Sequence, residues 1–142
     1  MNGQIANIKT IKPIAWGFSV SGSNVKISNH FVDAMPENAV PGQKTSFPSN
    51  TDGIAISGTD VTLDGYYGNN GDDCINITDG GHNIVAKNGY CGFASHGLSI
   101  GSLGQGGDTA SVANVLFQNW TMENALYAAR VRHHLQSSYL PY

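Results

Sequence analysis

Asn24-Val25-Lys26-Ile27-Ser28-Asn29 is the stretch whose reading decides the fold, because the chain returns to it again and again. It comes back as Asp60-Val61-Thr62-Leu63-Asp64-Gly65, Asn83-Ile84-Val85-Ala86-Lys87-Asn88 and Asn114-Val115-Leu116-Phe117-Gln118-Asn119. Each copy opens on Asn or Asp, carries an aliphatic residue next, and usually closes on Asn. A shorter alternating element falls between the copies: Phe18-Ser19-Val20, Ile54-Ala55-Ile56, Ile75-Asn76-Ile77 and Leu98-Ser99-Ile100. In each, the first and third side chains share one face and the middle one takes the other, as in a strand.

The spacing turns these strands into an architecture. Ile54 to Ile75 is 21 residues and Ile75 to Leu98 is 23. The gaps lengthen only at Asp33–Asn50, which holds Pro36, Pro41 and Pro48, and at Gly101–Ser111. Repeats of roughly 20–25 residues, with strands and no helical period between them, predict an all-β parallel β-helix. A β-sandwich predicts hairpin alternation instead of one motif returning in one order. Four to five coils are visible. A first rung fits Ile8-Lys9-Thr10-Ile11, neither end shows a capping segment, and His133–Tyr142 shows no repeat. The expectation is a central slice of a longer solenoid, with coils over residues 1–132 and a non-matching tail over 133–142, from a truncated or misassembled gene product.

Composition supports many strands. Among 142 residues there are 18 glycines and only 12% charged side chains, so solvated helix formers are scarce. Seven Lys+Arg against ten Asp+Glu give a formal charge of −3, which excludes a basic field for nucleic acid. No apolar run reaches the length of a membrane-spanning helix, so no membrane partner is expected. Met1-Asn2-Gly3-Gln4-Ile5-Ala6 lacks the basic stretch and apolar run of a signal peptide, which taken literally points to the cytosol. Cys74 and Cys91 point elsewhere: with no CxxC, a disulfide fits better than zinc, and two buried thiols stay open as the alternative.

Polar groups precede the short strands in a recurring way. Asn50-Thr51-Asp52-Gly53 leads into Ile54, Gly71-Asp72-Asp73-Cys74 into Ile75, and Ser95-His96-Gly97 into Leu98. Any one Asp beside Gly is ordinarily a turn residue capping backbone amides. Repeat register, however, stacks Asp52, Asp72, Asp73 and His96 on one surface of consecutive coils. Crowded carboxyls split their pKa values, which readies one to give a proton and another to take one. Farther on, Tyr127-Ala128-Ala129-Arg130-Val131-Arg132 holds both arginines of the chain, two apart on one strand face. They either compensate the aspartates or recognise a carboxylate through paired hydrogen bonds.

These motifs, in this order, resemble the polygalacturonases of glycoside hydrolase family 28, with a fungal, exo-acting flavour. The likeness runs from about Pro13 to Arg132. It implies a single-stranded, right-handed parallel β-helix of the pectin-lyase kind and hydrolysis of α-1,4 links between galacturonate residues, inverting and without metal or cofactor. It assigns Asp72 as general acid, Asp52 and Asp73 as the pair activating water, and His96 as a group tuning the acid or holding substrate. Arg130 takes the sugar carboxylate, with Arg132, Tyr127 and Asn50 beside it. It pairs Cys74 with Cys91, in a loop contributing about 3 kcal/mol. The partner implied is pectin, met outside the cell by a secreted monomer. Stacked coils by themselves would place Asp52 and Asp73 nearer the short carboxyl separation of retaining enzymes, so inversion is expected from the family alone. Arg132 stands where the family has Lys.

Smaller features complete the reading. Asn76-Ile77-Thr78 and Asn119-Trp120-Thr121 are glycosylation sequons. Gly101–Gly107 is glycine-rich but no Gly-Lys-Ser/Thr follows, so it is not a phosphate loop. His133-His134 is not expected to hold a metal. Trp16 and Trp120 fall within the repeat and are expected to stack in the core. The rival readings are an inactive relative that at most binds pectin, a hydrolase of rhamnogalacturonan or xylogalacturonan, and a calcium-dependent pectate lyase.

Overall fold

The closing Asn of each long repeat is there for its backbone. Asn29, Gly65, Asn88 and Asn119 have φ of 54°, 85°, 59° and 56°, the left-handed region that Asn and Gly tolerate best. The opening residues Asn24, Asp60, Asn83 and Asn114 are left-handed too, at φ 55–57°. Each long strand is therefore bent at both positions, and the chain turns a corner without leaving the sheet.

The computed structural model describes residues 2–37, 49–92 and 94–134. Its elements are β1 (Gly3–Ala6), β2 (Lys9–Ile11), β3 (Ser19–Val20), β4 (Ser23–Asp33), β5 (Ile54–Ile56), β6 (Thr59–Asn69), β7 (Ile75–Ile77), β8 (His82–Cys91), β9 (Leu98–Leu103), β10 (Ala113–Met122) and β11 (Ala129–His133). The helical content of the described residues is one 3-10 turn, Gln105–Gly107. All pairing is parallel. One sheet runs β1-β4-β6-β8-β10, with β2 also on β4, and the other runs β11-β9-β7-β5-β3. This is the parallel β-helix expected from the repeats, in the expected register: Val25 pairs Val61, Val61 pairs Ile84 and Ile84 pairs Val115.

The interior fills with the aliphatic positions of both motifs. Ile54, Ile56, Ile75, Ile77, Val61, Leu63, Ile84 and Ala86 are fully buried. A second interior file, His30, Tyr66, Gly89 and Trp120, is aromatic. Glycine at 89 is required there, since a Cβ would lie 2.2 Å from the Trp120 ring. Trp120 leans on Tyr66 and donates Nε1–H to the Ala86 carbonyl at 2.8 Å, so it packs as expected. His30 is held neutral by burial, which lowers its pKa to about 4.

Three expectations need adjustment. Trp16 is 68% exposed: it lies ahead of β3, in register with Asp52, and β3 is the edge of its sheet among the described residues. The strand begun at Leu98 runs on to Leu103, so the irregular stretch expected from Gly101 starts at Gly104. Strand β11 reaches His133, and His134 N–H bonds the Leu103 carbonyl. Of the Asp33–Asn50 insertion, residues 38–48 lie outside the described residues, as do residues 135–142 of the tail. Cys74 and Cys91 are joined in a disulfide, Cα to Cα 6.0 Å, closing a loop of separation 17.

Candidate active site

Parallel pairing carries the residues ahead of the short strands into rows. Ile54 pairs Ile75, Ile75 pairs Leu98 and Leu98 pairs Ala129. Two residues upstream, the same register aligns Asp52, Asp73, His96 and Tyr127. The backbone tightens it: Gly53 N–H bonds the Asp73 carbonyl at 2.8 Å and His96 N–H bonds the Asp72 carbonyl at 2.9 Å. Asn70 is wholly buried, and its side-chain amide donates to the carbonyls of Asp72 (2.8 Å) and Asp73 (3.0 Å), fixing the turn that presents both acids.

Asp73 is the hub. Its side chain is fully buried, and Oδ1 accepts from Ser99 Oγ–H and Arg130 Nη2, both at 2.6 Å, while Oδ2 accepts from Arg132 Nη2 at 2.9 Å. Arg130 also donates Nε–H to Ser99 Oγ at 2.9 Å, so three side chains hold one carboxylate. Charge-assisted bonds of this kind are about twice as strong as neutral ones. Asp72 Oδ1 lies 3.0 Å from His96 Nδ1 and accepts from the Asp73 N–H at 2.8 Å. Nδ1 can donate to Asp72 when it carries the ring proton, or accept from Arg130 when the proton is on Nε2, but not both at once. Arg130 Nη2 is 3.1 Å from the same His96 nitrogen, and its guanidinium lies over the Tyr127 ring, 4.9 Å from the centroid.

Asp52, next in the row, is buried at 7% exposure. Burial raises its pKa to about 6, helped by repulsion from Asp72 and Asp73 and opposed by its own backbone hydrogen bond and by Arg132. Beneath the adjoining Gly53 lies the buried Tyr66 phenol, so close that a Cβ at 53 would fall 1.8 Å from its oxygen. Glycine is the residue that lets the acid row pass over this ring.

The structure thus brings together Asp52, Asp72, Asp73, His96, Arg130, Arg132 and Tyr127. Asn50 stands two residues before Asp52 in an exposed turn, with φ 57°. Asn76 needs correction as a sugar-bearing residue: it lies between Ala55 and Ser99 in the middle of the sheet, 8% exposed, with no room for a glycan. Asn119 is at the surface, where its amide donates to Asn88 Oδ1 at 2.7 Å. Sequence reasoning missed Ser99 and Asn70. The alternation of Leu98-Ser99-Ile100 already turned Ser99 outward beside Asp73, whereas nothing in the local pattern marks Asn70. Ligand atoms of Asp72, Asp73 and His96 fall within 4.8 Å of one another, close enough for a metal ion. Two guanidinium groups already occupy both oxygens of Asp73, and a further cation would meet their repulsion.

Comparison with known proteins gives the family and the fold. Residues 1–138 match Glycosyl hydrolases family 28. A probable exopolygalacturonase C of Aspergillus fumigatus is 39% identical over 129 residues, 90% of this chain and 28% of the relative. An endo-xylogalacturonan hydrolase from Aspergillus tubingensis superposes with a TM-score of 0.78 at 30% identity, covering 92% of this chain and 34% of that one. Endopolygalacturonase I from Stereum purpureum, solved with two galacturonates, gives 0.77 at 28% identity over 94% of this chain and 38% of that one. The chain therefore spans about a third of the length of the proteins it matches.

Proposed function

The chain belongs to glycosyl hydrolases family 28, and from that premise we propose that it carries the catalytic row of a polygalacturonase, hydrolysing α-1,4 links between galacturonate residues of pectin. The observation that supports this best is the hub at Asp73: a buried carboxylate held by Ser99, Arg130 and Arg132 between two further acids. Asp72, 3.0 Å from His96 Nδ1, protonates the leaving glycosidic oxygen. Asp52 and Asp73 activate the water that attacks the anomeric carbon from the opposite face, with inversion. Its raised pKa makes Asp52 a stronger base than an ordinary carboxylate once it is ionised. Arg130 and Arg132, with Tyr127 alongside and Asn50 at the rim, take the carboxylate of a bound sugar, exchanging part of their hold on Asp73 for it. No metal enters this scheme, and the protein acts as a secreted monomer, glycosylated at Asn119.

The test is release of new reducing ends from polygalacturonate, with Asp72→Asn as control and the anomer of the first product followed by NMR. Release by the parent chain alone, with an inverted product, supports the reading; equal release by both proteins, or an unsaturated ultraviolet-absorbing product, overturns it. Likeness to the xylogalacturonan hydrolase favours a second substrate, so xylogalacturonan belongs in the same assay. Faster release from it than from polygalacturonate would move the assignment there.

A further inference from the structure

Trp16 is an exposed indole in a row of site residues. Gly17 donates its N–H to the Asp52 carbonyl at 2.8 Å and Ser19 pairs with Ala55. That register puts Trp16 beside Asp52, one coil farther from the arginines. The full row then reads Trp16, Asp52, Asp73, His96, Tyr127. Its two end members are aromatic and open, Trp16 at 68% and Tyr127 at 44%, while the acids between them are buried. Coils stack about 4.8 Å apart, so the two rings are spaced by roughly 19 Å, enough for an oligosaccharide lying across the acids. The two ends differ in charge. Tyr127 carries the Arg130 guanidinium on its face. At the other end, among the described residues, the lysine four positions before Trp16, Lys12, is committed to Asp33 and to the Met35 carbonyl.

We propose that Trp16 is a stacking platform for a pyranose ring of the polysaccharide, forming a subsite that does not read the sugar's carboxylate. The inference rests on the proposed function and adds to it. A pyranose presents an apolar face of C–H groups, and packing that face on an indole removes apolar area from water without any charge partner. The indole has only two side-chain torsions to fix, so ordering it costs little. The cleft is then chemically asymmetric: an esterified or neutral sugar is accepted at the Trp16 end, and an ionised one is required at the Arg130 and Arg132 end.

The experiment is a binding titration of the Asp72→Asn chain, so that ligand is not consumed, with oligogalacturonate and with the same oligomer methyl-esterified at the residue reaching Trp16. Indole emission and calorimetry are read together. The only other tryptophan, Trp120, is half-buried against Tyr66 and held by its bond to the Ala86 carbonyl. A saturable emission change that disappears in Trp16→Ala is expected, with affinity weakened roughly tenfold for both ligands and largely kept in Trp16→Phe. Ile14, 95% exposed, supplies the control: Ile14→Ser leaves the titration unchanged. Unchanged affinity in Trp16→Ala overturns the platform while the proposed function stands. A loss confined to the free acid overturns the indifference to charge. No calorimetric binding of either ligand overturns the proposed function, and the platform with it.

Discussion

Asp64 and Asp52 are set in the same stack of coils and titrate in opposite directions. Asp64 stands at the solvent corner, where the Asn88 amide (2.7 Å) and the Lys87 ammonium (3.1 Å) hold it below the usual carboxylate range. Asp52 stands in the cleft row, where burial and two neighbouring carboxylates push it up to about 6. The two corners of the long strands are ladders built mostly of amides: Asn29 bonds Asn7 and Asn119 bonds Asn88 at one, and Asn114 bonds Asn83 and Asn83 bonds Asp60 at the other. Stacking identical amides satisfies each from the next coil. Stacking acids does not, since each new carboxylate repels the last. The cleft row is tolerable because two arginines and a serine close around its middle member. One solenoid thus uses a single device, repetition at a fixed spacing, to build a self-satisfied edge and a strained chemical site.

The widest gap between the two regions is in activity. On the proposed function, Asp72→Asn should lower hydrolysis of polygalacturonate on the order of 10³-fold with the circular dichroism spectrum intact, the loss that removing a general acid causes. Asp64→Asn should leave the rate unchanged, and a comparable loss there would erase the distinction. In stability, Asp73→Ala strips both arginines of their partner. Breaking a buried pair costs about 3–5 kcal/mol, and the low end is expected because Arg132 can turn its 37%-exposed side chain to water. Denaturant midpoints measure it, and a change under about 1 kcal/mol would show that the hub is not structural.

Asp52 gives a prediction with a sign. Its folded pKa lies above the unfolded value of 3.8, so ionisation disfavours the fold. The associated stability is complete below about pH 4 and is lost as pH rises through about 6, a change of about 3 kcal/mol. Asp52→Asn should flatten that slope and make the protein more stable at pH 7 than its parent; a slope unaltered by the substitution counts against burial as its source. The smallest effect belongs to the ladder. Asn88→Gly keeps the left-handed backbone and removes one amide, and should cost about 1 kcal/mol or less, seen as a shift in thermal midpoint.

The repeat made the coils legible. Four returns of each motif fix strand identity and register together, because a slip of one residue would turn every aliphatic side chain outward. The acids were legible for the same reason, as residues a constant distance ahead of the short strands. Where the motif says nothing, reading failed. Trp16 falls inside the repeat, but the register that sets it beside Asp52 and not beside an interior aliphatic residue comes from the pairing of β3 with β5. Asn70 acts through carbonyls of Asp72 and Asp73, a contact that a loop conformation creates and no period announces. Asn76 shows the reverse error: the three-residue sequon was clear, but it falls on a central strand where no sugar fits.

The Cys74–Cys91 bond has a mechanical consequence. It begins one residue after the hub acid and ends at the last residue of β8, so it closes most of one coil into a hoop. A β-helix pulled by its ends gives up length as each coil peels from its neighbour. This coil cannot pay out: the chain between the two cysteines, a sequence separation of 17, is withheld from the extension. Under a force clamp, reduction should lengthen the fully extended chain by roughly 55 Å. Until then the hoop sets a stop beside Asp73, and peeling that starts at either end meets a closed loop at the acid row.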